Sequence, residues 1–153
     1  MTDFLWNRPE TPPVATLLLA HGAGAAMDST FMNKLAAALA SQGIAAARFE
    51  FAYMAGRRTG GPKKPPPRAD KLIAEFQTAL QSVLSQSDGP LLIGGKSMGG
   101  RVAAMLAGGG SLPGRAKGVS CFGYPFHPTG KADAEWRLQP LQDAKRPVLV
   151  LQG

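Results

Sequence analysis

Short apolar runs alternate with segments whose apolar residues recur at helical spacing, and this rhythm constrains the fold more than any other feature. Residues 14–20 (VATLLLA), 44–51 (IAAARFEF), 90–94 (PLLIG), 118–122 (GVSCF) and 148–152 (VLVLQ) are mostly apolar and too short for buried helices. They read as strands buried on both faces, as in a parallel sheet. Between the first two, Asp28 or Ser29 can cap a helix to about residue 41, with Met32, Leu35, Ala36 and Leu39 on one face and Gly43 as its stop. Residues 69–84 form the clearest helical pattern, and 98–107 a further one. Residues 53–68 read as a loop, because the three consecutive prolines 65–67 forbid helix there. A long polar stretch with a weak helical signal precedes the last strand. The expectation is an α/β fold in one domain, 1–153: a mostly parallel sheet of about five strands with helices on both faces. In such sheets function gathers at the carboxyl ends of the strands.

The stretch GGKSMGG (94–100) lies at one such end and packs four glycines, a lysine and a serine together. A phosphate-binding loop needs glycine, four residues, glycine, lysine and then serine or threonine. Counting back from Lys96 and Ser97, the first glycine would have to be position 90, which is Pro90, and the intervening LLI is strand rather than loop. Gly95-Lys96-Ser97-Met98-Gly99 instead matches Gly-x-Ser-x-Gly, a sharp strand-to-helix turn that presents a serine nucleophile and leaves no room for side chains two residues either side. With 8 serines and 19 glycines in 153 residues the motif alone is weak. The apolar strand before it and the helical segment after it supply the context that the chemistry needs.

A second feature points the same way. His21-Gly22-Ala23-Gly24 closes an earlier strand with small residues. Acyl transfer needs two N–H donors aimed at the developing oxyanion, one from the residue after the nucleophile and one from such a loop. Met98 and Ala23 are the candidates.

Taken together, HGAGA, RFEFAYM, GGPKKPPPRADKL, GGKSMGGRVA and GYPFHPTGK resemble the alpha/beta-hydrolase group related to dienelactone hydrolases, and within it the branch shared with testis-expressed proteins and a regulatory subunit of a histone-acetyltransferase complex. The resemblance runs from about Thr16 to the last residue. It implies an alpha/beta-hydrolase fold, Ser97 as nucleophile and an oxyanion hole at Ala23 and Met98, but no particular substrate; a small-molecule acyl substrate and no cofactor or metal are expected. It also implies that His21 braces the oxyanion loop. Some relatives are thought to be scaffolds rather than enzymes.

The family's triad runs serine, acid, histidine, with the acid after the strand that matches VLVLQG and the histidine one strand later. On that alignment the chain is C-terminally truncated, without the family's acid and base, and its turnover is expected to be severely weakened. His21 and His127 are the histidines available as substitutes, and Asp133 and Glu135 the nearest acids, with structural or solvated roles as their default. Lys96 and Ser97 are adjacent at a tight turn, which points their side chains apart. Arg101, one turn into the helix, fits support of the loops or of an anionic substrate group. The strand 148–152 would form an apolar edge that invites self-association.

The formal charge is +7, from 17 basic and 10 acidic residues. Arg57, Arg58, Lys63, Lys64 and Arg68 share one acid-free loop, a candidate docking surface should the chain be a non-catalytic interaction module. With Tyr53 as its sole aromatic, that loop lacks the stacking residues of a single-strand nucleic-acid binder. The apolar runs are far too short to span a bilayer. Asp3, Glu10 and the Pro12-Pro13 pair stand where a secretory signal would be positively charged. The lone cysteine, Cys121, suits a reducing compartment and a buried, inert thiol. A cytoplasmic location is expected.

Overall fold

A computed structural model describes residues 2–153. Its centre is a six-stranded sheet in the order β1-β3-β2-β4-β5-β6, formed by β1 (Leu5–Asn7), β2 (Ala15–Ala20), β3 (Ile44–Phe49), β4 (Leu91–Lys96), β5 (Ala116–Phe122) and β6 (Val148–Leu151). All neighbours pair in parallel except β1, which runs antiparallel to β3. The α/β expectation holds, with one strand more than anticipated. β1 escapes sequence reasoning because three residues carry no measurable periodicity. Tertiary contacts hold it: Arg48 on β3 donates to Asn7 Oδ1 at 2.7 Å and, from its other terminal nitrogen, to Asn33 Oδ1 and Met27 O.

Alternation along β2 divides the core. Leu17 and Leu19 face α1 (Thr30–Ser41), packing with Met32 and, behind it, Leu35 and Leu39. Leu18 and Ala20 face the larger cluster built on α3 (Ile73–Gln86) and α4 (Met98–Gly108), where Phe76, Leu80, Val83, Val102 and Leu106 are buried. Both sheet faces are therefore covered, which is why the strands are apolar on both sides. Ser29 caps α1 by accepting from Met32 N, and Gly43 follows its last turn at φ 85, as the cap and stop residues predict. The helix expected from residue 69 begins as a 3-10 turn over Ala69–Leu72 before α3 proper.

The reading of 53–68 as a loop is half right. Residues Ala52–Arg58 form a short helix, α2, and only the stretch after it is irregular. The prolines 65–67 act locally and do not reach back to it. Its first amide, Ala52 N, donates to Glu75 Oε1 at 2.8 Å, while Arg57 and Arg58 occupy its last turn; both placements suit the helix dipole. Arg58 is not free: it pairs with Glu50 at 2.6 Å and Asp28 at 2.5 Å, and it holds the Asp28 carboxyl below its usual range. Arg57 donates to Lys64 O at 2.7 Å. With Arg68 3.3 Å from Asp70, three of the five cations assigned to a docking loop are thus engaged within the chain.

A fifth helix, α5 (Gln139–Asp143), leans on α4 before β6. β6 forms an edge of the sheet, with Leu149 and Leu151 about half exposed. No helix among the described residues is long and apolar enough to cross a membrane. β3 lies to one side of β2 and β4 to the other, so the chain reverses its winding between β2 and β4. A crevice opens at the carboxyl ends of two such strands.

Candidate active site

β4 ends at Lys96 and α4 begins at Met98, so Ser97 alone makes the turn between them. It does so at φ 51, ψ −117, and it is the one non-glycine residue with positive φ among those described. Its N–H donates to Phe122 O on β5 at 2.9 Å, and its carbonyl accepts from Arg101 N at 3.2 Å. The serine is pinned from both sides in a conformation that L-residues avoid. Small neighbours make this possible. A Cβ on Gly95 would lie 2.6 Å from Gly99 C and 2.7 Å from Ala20 O; one on Gly100 would lie 2.8 Å from Gly95 O. If the turn is strained, Ser97→Gly should stabilise the protein by about 1–2 kcal/mol despite losing a side chain. A chemical melt with an unchanged or lower midpoint would mean that the surrounding contacts, not strain, set the local energy.

The end of β2 supplies the facing loop. His21 is fully buried, and both ring nitrogens are committed: Nδ1 donates to Gly22 O at 2.6 Å, and Nε2 accepts from Phe51 N at 3.2 Å. This pattern requires the neutral Nδ1-H tautomer. Burial also pushes the imidazole pKa below its usual 6.5. His21 therefore ties the loop to the β3–α2 junction and has no nitrogen left for a nucleophile. Tyr53, packed edge-on against that ring, donates its hydroxyl to Ala23 O at 2.8 Å, and burial raises its pKa to about 12. Tyr53 was missed as a site residue because the hydrogen bond spans 30 positions and two elements. A Cβ on Gly22 would stand 3.7 Å from Ser97 Cβ, so the loop passes close over the turn. Gly24 meets nothing within 4 Å, so close packing is not what calls for a glycine there.

Between these walls lies a cavity of about 630 Å³. Ala23, Ser97, Met98, Arg101 and His127 all line it, together with Arg137 from the segment after β5. Four of the sequence candidates thus meet one space with Ser97, although they come from three separate parts of the chain. Met98 opens α4, whose first-turn amides have no intrahelical acceptor and favour negative charge.

His127 directs Nδ1 to Pro128 O at 2.9 Å and packs near Trp136. Among the described residues, no side chain hydrogen-bonds Ser97 Oγ. Asp133 is exposed and lies outside the cavity lining. Glu135 lines an adjoining cavity instead. Lys96 sits over the Phe31 ring at 5.0 Å and lines a different cavity, away from Ser97. Cys121 is buried, and desolvation raises its thiol to about 11.

Solved structures share this architecture. An alpha-beta serine hydrolase homologue from Coxiella burnetii superposes with a TM-score of 0.63 at 20% identity, over 98% of this chain and 81% of that one. The esterase domain of a Rhodothermus marinus protein gives 0.59 at 25%, over 83% and 46%. Est1E from Butyrivibrio proteoclasticus, solved with ferulic acid bound, gives 0.59 at 14%, over 78% and 47%. The chain spans less than half the length of the last two. No curated protein sequence matches it. The family model described as an alpha/beta hydrolase domain matches residues 13–153, and the chain belongs to that family.

Proposed function

We propose that this chain carries the nucleophile of a serine hydrolase acting on an ester, thioester or related acyl bond of a small molecule. The observation that carries the reading is Ser97, held at φ 51 on the wall of a cavity that Ala23 and Met98 also line. Ser97 Oγ would attack the acyl carbon, and the Ala23 and Met98 amides would receive the charge that moves onto the carbonyl oxygen. The hydroxyl proton needs an acceptor. His21 cannot take it, since its Nε2 lone pair accepts from Phe51 N and its pKa is lowered. Since no side chain among the described residues hydrogen-bonds Ser97 Oγ, including His127 on the same cavity wall, weak turnover is expected of the 153-residue polypeptide.

A fluorophosphonate probe tests both halves of this reading. Labelling of the polypeptide is expected to be slow, confined to Ser97, and abolished by Ser97→Ala. Label that survives Ser97→Ala, or no label after overnight exposure, would refute the nucleophile assignment. Labelling within minutes would refute the claim of weak activation. The alternative of a basic docking module draws less support, because Arg57 and Arg58 are already engaged by Lys64 O, Glu50 and Asp28.

A further inference from the structure

The cavity beside Ser97 is lopsided in charge. Arg68, Arg101 and Arg137 line it, and the single carboxylate in its lining, Asp70, pairs with Arg68 at 3.3 Å. Arg101 and Arg137 also line the adjoining cavity of about 520 Å³, whose acids are Glu135 and Asp143. Neither acid forms an ion pair with either arginine, and Asp143 accepts from Gln139 instead.

The two inner arginines differ from Arg48, Arg115 and Arg146, and also from Arg57, which donates to Lys64 O. Arg48, Arg115 and Arg146 each spend two or more guanidinium nitrogens on carbonyls or side-chain oxygens. Among the described residues, the guanidinium groups of Arg101 and Arg137 make no hydrogen bond, and Arg101 Nε is shut off from solvent without a partner. An enclosed donor without an acceptor is costly, and two like charges facing one space add to that cost. Burial and the nearby Arg137 both push the Arg101 pKa down.

Both side chains nevertheless stand on well-held backbone. Arg101 is in the first turn of α4. Arg137 N–H donates to Phe126 O at 2.6 Å, and its carbonyl accepts from the Tyr124 hydroxyl at 2.6 Å. Two unneutralised guanidinium groups, carried on held backbone and lining one cavity with Ser97, can form a fork for an oxyanion, which such groups grip through paired charge-assisted hydrogen bonds.

We propose that Arg101 and Arg137 form an anion subsite, so that the acyl substrate carries a carboxylate or phosphate group seated between them while its carbonyl meets Ser97. Arg68 stands at the rim, half neutralised by Asp70. The inference rests on the cavity being the substrate site, but it can be read without any turnover.

Calorimetric titration of the Ser97→Ala chain at low ionic strength would use monoethyl glutarate, monoethyl phosphate and the neutral diethyl glutarate. At least one anion should bind ten-fold or more tightly than the diethyl ester, and the tighter anion identifies the group. Arg101→Gln and Arg137→Gln should each weaken that binding about ten-fold, whereas Lys34→Gln, an equal loss of charge at an exposed site on α1, should not. Arg137 lies outside any helix, so its variant gives a reading even if Arg101→Gln fails to fold. Equal affinity for the diethyl ester, an equal loss in Lys34→Gln, or no saturable anion binding would overturn the proposal. Since Ser97 is absent from the titrated protein, failure here is distinct from failure of the labelling test.

Discussion

Alanine at position 99 is expected to cost at least about 3 kcal/mol, among the largest effects of any single methyl group in this protein. Its Cβ would stand 2.5 Å from His21 O, 2.7 Å from Ala20 O and 2.9 Å from Ala20 C. All three are backbone atoms at the end of β2, so no side chain can swing aside. Relief requires α4 to lift from the sheet, which would pull Val102, Ala103 and Leu106 out of the core and widen the cavity beside Ser97. Helix propensity pulls the other way, favouring alanine by about 1 kcal/mol, and is outweighed. Gly24→Ala is the internal comparison. With nothing within 4 Å of the added atom, it should change stability by less than about 0.5 kcal/mol. Urea melts of the two variants decide the matter; Gly99→Ala as stable as Gly24→Ala would show that the helix–strand approach is looser than the structure implies.

Removing the His21 ring should be comparably damaging, at about 3 kcal/mol or more for His21→Ala. The substitution opens a void against Phe51 and Tyr53 and leaves Phe51 N–H buried without an acceptor. Protonation of the ring is expected to work in the same direction. The folded-state pKa lies below the ordinary 6.5 because burial disfavours the imidazolium. Between the two values the unfolded chain binds more protons, so the neutral ring's contribution is complete above about 6.5 and is lost as pH falls below it. Thermal midpoints measured from pH 7.5 down to 5 should decline. In His21→Gln, which has no titrating group there, the decline should be shallower. Parallel profiles for the two proteins would remove His21 as the source.

Some of this was legible along the chain. The strands β2 to β5 announce themselves because a strand covered on both faces must be apolar throughout, β6 because it is equally apolar although one face is half exposed, and α1, α3 and α4 because one wet face leaves a helical period. The turn at Ser97 is equally local: glycines at 95 and 99 flank the serine at the spacing that close packing of strand end and helix start demands. β1 and α2 were not legible. Three strand residues and seven helical ones are too few to show a period, and each is held by a partner remote in sequence, Arg48 for Asn7 and Glu75 for Ala52.

The same division runs through the site. Sequence spacing singled out Ser97, Ala23, Met98 and Arg101, because turns and helix starts are written in neighbouring residues. It could not tell that His21 spends both nitrogens on backbone groups, that Asp133 stays outside the cavity, or that Arg137 enters it without a partner. Those facts depend on which side chains converge at the carboxyl edge of the sheet. Convergence is settled by strand order and by packing across distant segments, so the sequence by itself determined the elements and the turn that presents the serine, while the tertiary structure alone decided what surrounds it.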